Sequence, residues 1–380
     1  MQRWKTADSH LDKRALRATV LNSLLSAREI ANGSKDSVRA AHRGQRRLKR
    51  VHEDIWLQAN ESTYRPAFAK SSDIDPTAIV PRLVEVEPGT REAAVFRAAT
   101  IFWSVPVSRG FGRRMRFLVE DATNGKLIGL FALGDPVFNL STRDRWIGWD
   151  VEARKARIAS VMDLYVCGAV PPYSALLGGK LVASLATSQE VADRFAEKYK
   201  GRAGVISGET KPARLLVLTT TSALGRSSLY NRLHLNIEPS VSFERLGATK
   251  GWGHFQISDE IFLELRNLLT KEQHAYANGH FFGSGPNWRL RTIRAALDSL
   301  GIAQNLLEHG IQREVYAAEL VPTARKQLRE HISQRRVQRP SAAVISAAAV
   351  SRWISPRIVR LGIPRWTAAD IDRAFAGDSD

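Results

Sequence analysis

Residues 163–188, DLYVCGAVPPYSALLGGKLVASLATS, pass from a short β-branched apolar stretch through a Pro-Pro turn and a Gly-Gly-Lys into a helical pattern. DLYVCGAV reads as a central strand buried on both faces, because a surface strand would alternate polar and apolar positions. RLLVLTTT, residues 214–221, has the same character and is also followed by a polar loop. Two consecutive strand-loop-helix units predict α/β architecture, with both loops at the carboxyl ends of the strands if those strands are parallel. Thr187-Ser-Gln-Glu190 has the capping-box pattern, which divides the helical stretch into GGKLVASLA and SQEVADRFAEKY. After the second strand, Ser227 or Ser228 is expected to cap a short helix carrying Tyr230 and Arg232.

Upstream, MRFLVED, Asn124-Gly125 and KLIGLFALGDP predict a β-hairpin, since Asn-Gly accepts the positive φ that a tight turn needs. Residues 10–31 place Leu11, Leu16, Val20, Leu24 and Ile30 at near-helical spacing, and Asn32-Gly33 ends that helix. A second helix follows from Ser37 through residue 53 and carries Arg39, Arg43, Arg46, Arg47, Lys49 and Arg50. From residue 256 the pattern is helical and basic. The expected organisation is a basic helical region (1–60), a connector (61–94), an α/β core (95–255) and a helical basic region (256–380).

Charge points to a polyanionic partner. Over 380 residues, 56 Lys and Arg face 38 acids, a formal net charge of +18. The cations cluster on the second helix, in the Gly-Arg turn (Arg109, Arg113, Arg114, Arg116) and in the tail (Arg335, Arg336, Arg339). Nucleic acid, DNA before RNA, leads the candidates, with Trp149 and Phe281 as rings to stack on bases. One cysteine, Cys167, sits inside an apolar run, and the histidines are scattered, so neither a disulfide framework nor a metal site is expected. The N-terminus has no apolar signal core and no apolar run is long enough to span a bilayer, which leads to the expectation of a cytoplasmic protein without a membrane partner.

Three constellations offer chemistry. Gly178-Gly179-Lys180 opens a helix, where backbone amides and the helix dipole favour anions. It lacks P-loop spacing, because Leu181 stands where the hydroxyl for magnesium belongs, and tight packing is the commonest cause of such a glycine pair. TTTSALGRSSLYNRL, residues 219–233, groups Ser222, Arg226, Ser227, Ser228, Tyr230, Asn231 and Arg232 as a second phosphate-loop candidate, with helix capping as the alternative for its serines. NLSTRDRWIGWD, residues 139–150, sets Arg143, Asp144, Trp146 and Gly148 beside Trp149, either as an aromatic core patch with a local ion pair or as a stacking surface.

Taken together, DPVFNLSTRDRWIGWD, LYVCGAVPPYSALLGGKLVASLATS and TTTSALGRSSLYNRL resemble the DruA family of Druantia anti-phage defence systems, whose related domains occur fused to transposases. The resemblance implies a bacterial defence role alongside a large helicase-like partner, DruE, and other subunits of the system. The strand arrangement also resembles an N-acetyltransferase-like fold: a mixed central sheet, here with basic helical N- and C-terminal extensions. That likeness implies coenzyme A held at the loop around Gly178, although Ala175 and Lys180 depart from the pattern of the superfamily at that loop. No cofactor is assigned. The leading expectation is a nucleic-acid-binding defence component. The alternatives are an acyl-CoA-dependent enzyme, a transposase- or nuclease-related protein with Asp135, Asp144, Asp150 and Asp163 as candidate carboxylates, and an assembly scaffold.

Overall fold

Among the described residues nine strands form: β1 (Pro81–Glu85), β2 (Arg114–Asp121), β3 (Lys126–Gly134), β4 (Val161–Ala169), β5 (Val217–Thr221), β6 (His234–Leu235), β7 (Val241–Ser242), β8 (Glu244–Ala248) and β9 (Glu314–Glu319). The computed structural model describes residues 13–32, 35–104, 112–204, 208–223, 226–249, 251–254, 256–277, 288–330 and 338–376. The helices are α1 (Lys13–Asn32), α2 (Lys35–Tyr64), α3 (Arg91–Ala99), α4 (Ser141–Ile147), α5 (Val151–Arg157), α6 (Gly178–Leu185), α7 (Gln189–Tyr199), α8 (Asp259–Lys271), α9 (Trp288–Ser299), α10 (Ala324–Glu330), α11 (Ala342–Ala349), α12 (Ser355–Leu361) and α13 (Ala368–Ala376).

Seven strands make one mixed sheet in the order β1-β2-β3-β4-β5-β9-β8, while β6 and β7 pair separately. Every neighbouring pair in the large sheet is antiparallel except β4 and β5, which run parallel over Val161–Asp163 against Val217–Thr219. The two apolar runs are thus neighbouring central strands, as their composition predicts, and they run parallel. The β2–β3 hairpin also forms, with Gly125 at φ 67° and its amide donating to the Asp121 carbonyl at 2.8 Å. Gly129 in β3 has no room for a side chain, since a Cβ there would lie 2.3 Å from the Gly168 carbonyl oxygen of β4.

Several local expectations change. The segment after β5 folds as turns instead of a helix, with Arg232 in the left-handed region at φ 57°. The helix break at residues 186–188 is present, but its cap is Ser188, whose side chain makes no cap bond. Thr187 donates to the Ser184 carbonyl at 2.7 Å, and Glu190 accepts from the Ala342 amide at 2.8 Å. Strand β9, inside the region read as helical, inserts between β5 and β8.

Contacts divide the chain into two units, residues 1–39 with 250–312 and residues 40–249 with 313–380. These cut across the four consecutive regions read from the sequence, because distant segments share cores. In the first unit α1 buries Leu16, Val20 and Leu24 with Phe262, Leu265 and Leu269 of α8 and Ile293, Ala296 and Leu297 of α9. Each fully buried leucine of this kind contributes about 2 kcal/mol. The arginines of α1 serve the same packing: Arg17 donates to the Leu300 carbonyl, and Arg28 to those of Asn305 and Glu308. In the second unit the sheet is covered on both faces, by α6, α7 and α11 on one and by α3 with the end of α2 on the other.

Candidate nucleic-acid interface

The two loops at the carboxyl ends of β4 and β5 meet, and they meet through packing. A Cβ on Gly178 would lie 2.7 Å from the Tyr173 carbonyl oxygen, and one on Gly179 would lie 3.2 Å from the Leu229 side chain. The glycines therefore admit neighbouring protein. Lys180 reaches across, with Nζ donating to the carbonyls of Leu229 at 3.1 Å and Asn231 at 2.9 Å. Burial, with the charge of Arg352 second, holds its pKa below the ordinary lysine value.

In the second loop, Ser227 accepts from the amides of Leu229 and Tyr230 at 3.2 and 3.3 Å, as a cap would, although turns and not the expected helix follow it. Ser228 is exposed on the turn, and Arg226 donates to the Asn231 side chain at 3.3 Å. Ser222 exchanges hydrogen bonds with the Glu314 backbone, which ties the loop to β9. Tyr230 is buried against Phe243 and Tyr316, its hydroxyl accepts from Thr220 at 3.3 Å, and burial raises its pKa well above the usual phenol value. Lys180→Met is expected to lower stability by about 1–3 kcal/mol, the value of hydrogen bonds from a charged donor, in urea unfolding. A loss below about 0.5 kcal/mol would mean the lysine does not join the loops.

NLSTRDRWIGWD is a structural hub. Arg143 is fully buried. Its guanidinium donates to the carbonyls of Val137 and Phe138 at 2.8 Å each and to Asp144 at 2.7 and 2.9 Å. Asp144 also accepts from Trp149 Nε1 at 3.0 Å, Arg154 at 2.9 Å and the Leu140 amide at 3.0 Å. Burial pushes this carboxyl up, but those donors outweigh it and hold it below the usual carboxylate range. Trp149 is buried and does not present a face for stacking. Trp146 donates to Glu244 at 3.0 Å with Arg325 over its ring, and Gly148 ends α4 at φ 76°.

The other aspartates considered for metals are occupied separately: Asp135 by Arg113, Asp150 as the cap of α5, and Asp163 beside Thr219. Desolvation pushes Asp163 up to about 6 despite Thr219, Arg143 and Arg114. Among the described residues no group of three or more His, Cys, Asp or Glu side chains is placed to hold a metal ion. Burial raises the Cys167 thiol to about 12.

The cations anticipated for nucleic acid fall into three groups. Arg109, Arg335 and Arg336 lie outside the described residues, as does Phe281, and so does the side chain of Arg39. Others are committed within the fold. Lys49 donates to the Thr100 carbonyl at 2.5 Å, and Arg50 is buried. Arg113 holds Asp135 and the Ala159 carbonyl, and Arg114 lies 4.4 Å from the Tyr165 ring centre. Arg339 is buried and donates to the Leu215 carbonyl, with its pKa lowered to about 10 by burial.

The remaining group is Arg43 and Arg47, exposed on α2, with Arg46 half-exposed beside them and Arg116 exposed on β2. None of the three α2 arginines has an acidic partner among the described residues. His42, one residue before Arg43, is hydrogen-bonded to Ser104. Burial drives its pKa down to about 4, and the positive charges of Arg313 and Arg46 add to the shift. Sequence reading missed His42 and Arg313. His42 lies within the basic run, but Arg313 joins it only through the placement of β9 in the sheet.

The family model described as Druantia protein DruA matches residues 32–330. A curated relative, Druantia protein DruA of Escherichia coli (strain UMEA 4076-1), is 46% identical over 356 residues, which is 93% of this chain and 87% of the relative. No solved structure matches the chain. Among the described residues no helix is long and apolar enough to cross a membrane.

Proposed function

This chain belongs to the Druantia DruA family, a component of anti-phage defence, and from that premise we propose that it engages DNA through Arg43, Arg46 and Arg47 of α2. In this reading it acts in the bacterial cytoplasm with other subunits of the system, including a helicase-like partner, DruE. One observation carries the proposal: Arg43 and Arg47 are exposed and Arg46 half-exposed on α2, and the positive field of these three arginines meets no acidic partner of theirs among the described residues. Such a field is what a phosphate backbone neutralises, releasing counterions as it binds. Arg46 and Arg47 stand three and four residues after Arg43, so each neighbours it one turn along α2, where successive phosphates would lie.

The loops around Lys180 and Tyr230 support a structural role over coenzyme A binding, because the glycines are filled by Tyr173 and Leu229 and the lysine is used on carbonyls. A transposase- or nuclease-like reading gains nothing from the four separated aspartates.

The test follows from linkage. A phosphate beside His42 raises its pKa from about 4 toward its ordinary value of 6.5, so binding takes up a proton. Duplex affinity, followed by fluorescence anisotropy, is expected to rise as pH falls from neutral toward 5.5, and H42Q is expected to flatten that rise. Equal pH profiles for the two proteins would refute the placement of phosphate at this cluster. In the free protein the sign for stability is opposite. The unfolded chain binds the proton more readily between about pH 4 and 6.5, so stability falls as pH falls through that window.

A further inference from the structure

On the second unit, Val80 and Pro81 at the start of β1 face α11, a following π-turn (Val350–Ile354) and α12 across a groove of about 690 Å³. Its walls are apolar or small: Val80, Pro81, Ala343, Ala347, Val350 and Val359. Val359 is 88% exposed, Val80 52% and nearby Leu361 58%, far more than isolated surface valines and leucines need be when their helix has a core to face. β1 is the edge strand of the sheet. π-turns inside helices recur at functional sites, and here the turn offsets α12 from α11.

The segment that supplies most of these walls carries one sign of charge. From Gln338 to Ala369 the chain carries Arg339, Arg352, Arg357, Arg360 and Arg365 and no Asp or Glu. Arg339 is buried and Arg357 donates to the Ala175 carbonyl, whereas Arg352, Arg360 and Arg365 are exposed and have no acidic partner among the described residues. We propose that this groove docks an acidic amphipathic helix of a protein partner, its apolar face between Val80 and Val359 and its carboxylates on Arg352 and Arg360, which directly follow the wall residues Ser351 and Val359. Small side chains, Ser351 and Ser355 among them, let a helix approach closely, and the valines and alanines beside them suit the apolar face of a helix better than a phosphate backbone. Charge complementarity then selects among helices more by sign than by fit.

The probe is a display library of random helical peptides selected on the whole protein. Ala347 is exposed, so A347W fills the groove without entering the core. The enriched peptides are expected to carry Asp or Glu beside apolar residues at i, i+3/i+4 and i+7. Their binding is expected to fall more than about tenfold in A347W and in R352E/R360E, while duplex binding by A347W stays at the wild-type level. Three results would overturn the proposal: no enrichment, enriched peptides lacking acidic residues, or peptides that bind A347W as well as wild type. Loss in A347W of binding to vesicles of phosphatidylcholine and phosphatidylglycerol, with no peptide selected, would assign the groove to membrane surfaces instead.

Discussion

Arg143→Ala is expected to destabilise the protein by about 3–5 kcal/mol, the cost of removing one partner from a buried charge pair. The argument rests on what the guanidinium leaves behind. Asp144 is 13% exposed and keeps Arg154 and Trp149, while the carbonyls of Val137 and Phe138 lose their donor. The turn before α4 is joined to α4 through that side chain, Asp144 beside it holds Arg154 of α5, and α4 packs on β8 and β9. Because domain stabilities are only about 5–15 kcal/mol, a loss of this size leaves little folded margin. Arg143→Lys is expected to recover only part of the loss, since one ammonium cannot serve two carbonyls and a carboxylate in a fixed fork. Chemical denaturation with unchanged slope checks both variants. A loss below about 1 kcal/mol for the alanine variant would show that the hub is not held by Arg143.

How much of this was legible follows from which interactions are local. DLYVCGAV and RLLVLTTT announced two central strands through their apolar composition, whereas their running parallel is fixed by the pairing of Val161–Asp163 with Val217–Thr219. The β2–β3 hairpin announced itself through Asn124-Gly125. β9 did not: EVYAAE is short, and its place between β5 and β8 is set by pairing partners far along the chain. The turn carrying Tyr230 reads as a helix by its serine cap, but Tyr230 packs on Phe243 and Tyr316, and that tertiary contact overrides the local preference.

The site residues divide the same way. The basic run of α2 stands out in one dimension, yet only the fold separates Arg43, Arg46 and Arg47 from Lys49 and Arg50, which turn inward at helical spacing. Trp149 and Arg339 look available in a sequence and are buried in the structure. The Gly-Gly-Lys reads equally as a cradle or as packing until the neighbours of each missing Cβ are known, and those neighbours are Tyr173 and Leu229.

The second large effect is expected at α2. The triple variant R43Q/R46Q/R47Q should bind duplex DNA roughly 30-fold more weakly at moderate salt, about 2 kcal/mol in total, because it removes three charge-assisted phosphate contacts. Its stability should change little. The three side chains are exposed or half-exposed and have no acidic partner among the described residues, so glutamine leaves no buried charge behind. A melting temperature close to wild type would separate this loss from unfolding.

The slope of log affinity against log salt for a short labelled duplex, compared between wild type and the triple variant, tests the central claim most directly. Each phosphate contact contributes about 0.9 to the magnitude of that slope, so the variant is expected to be shallower by about 2 to 3. Equal slopes in two folded proteins, or a wild-type affinity that ignores salt, would contradict the assignment of α2 as the surface that meets DNA.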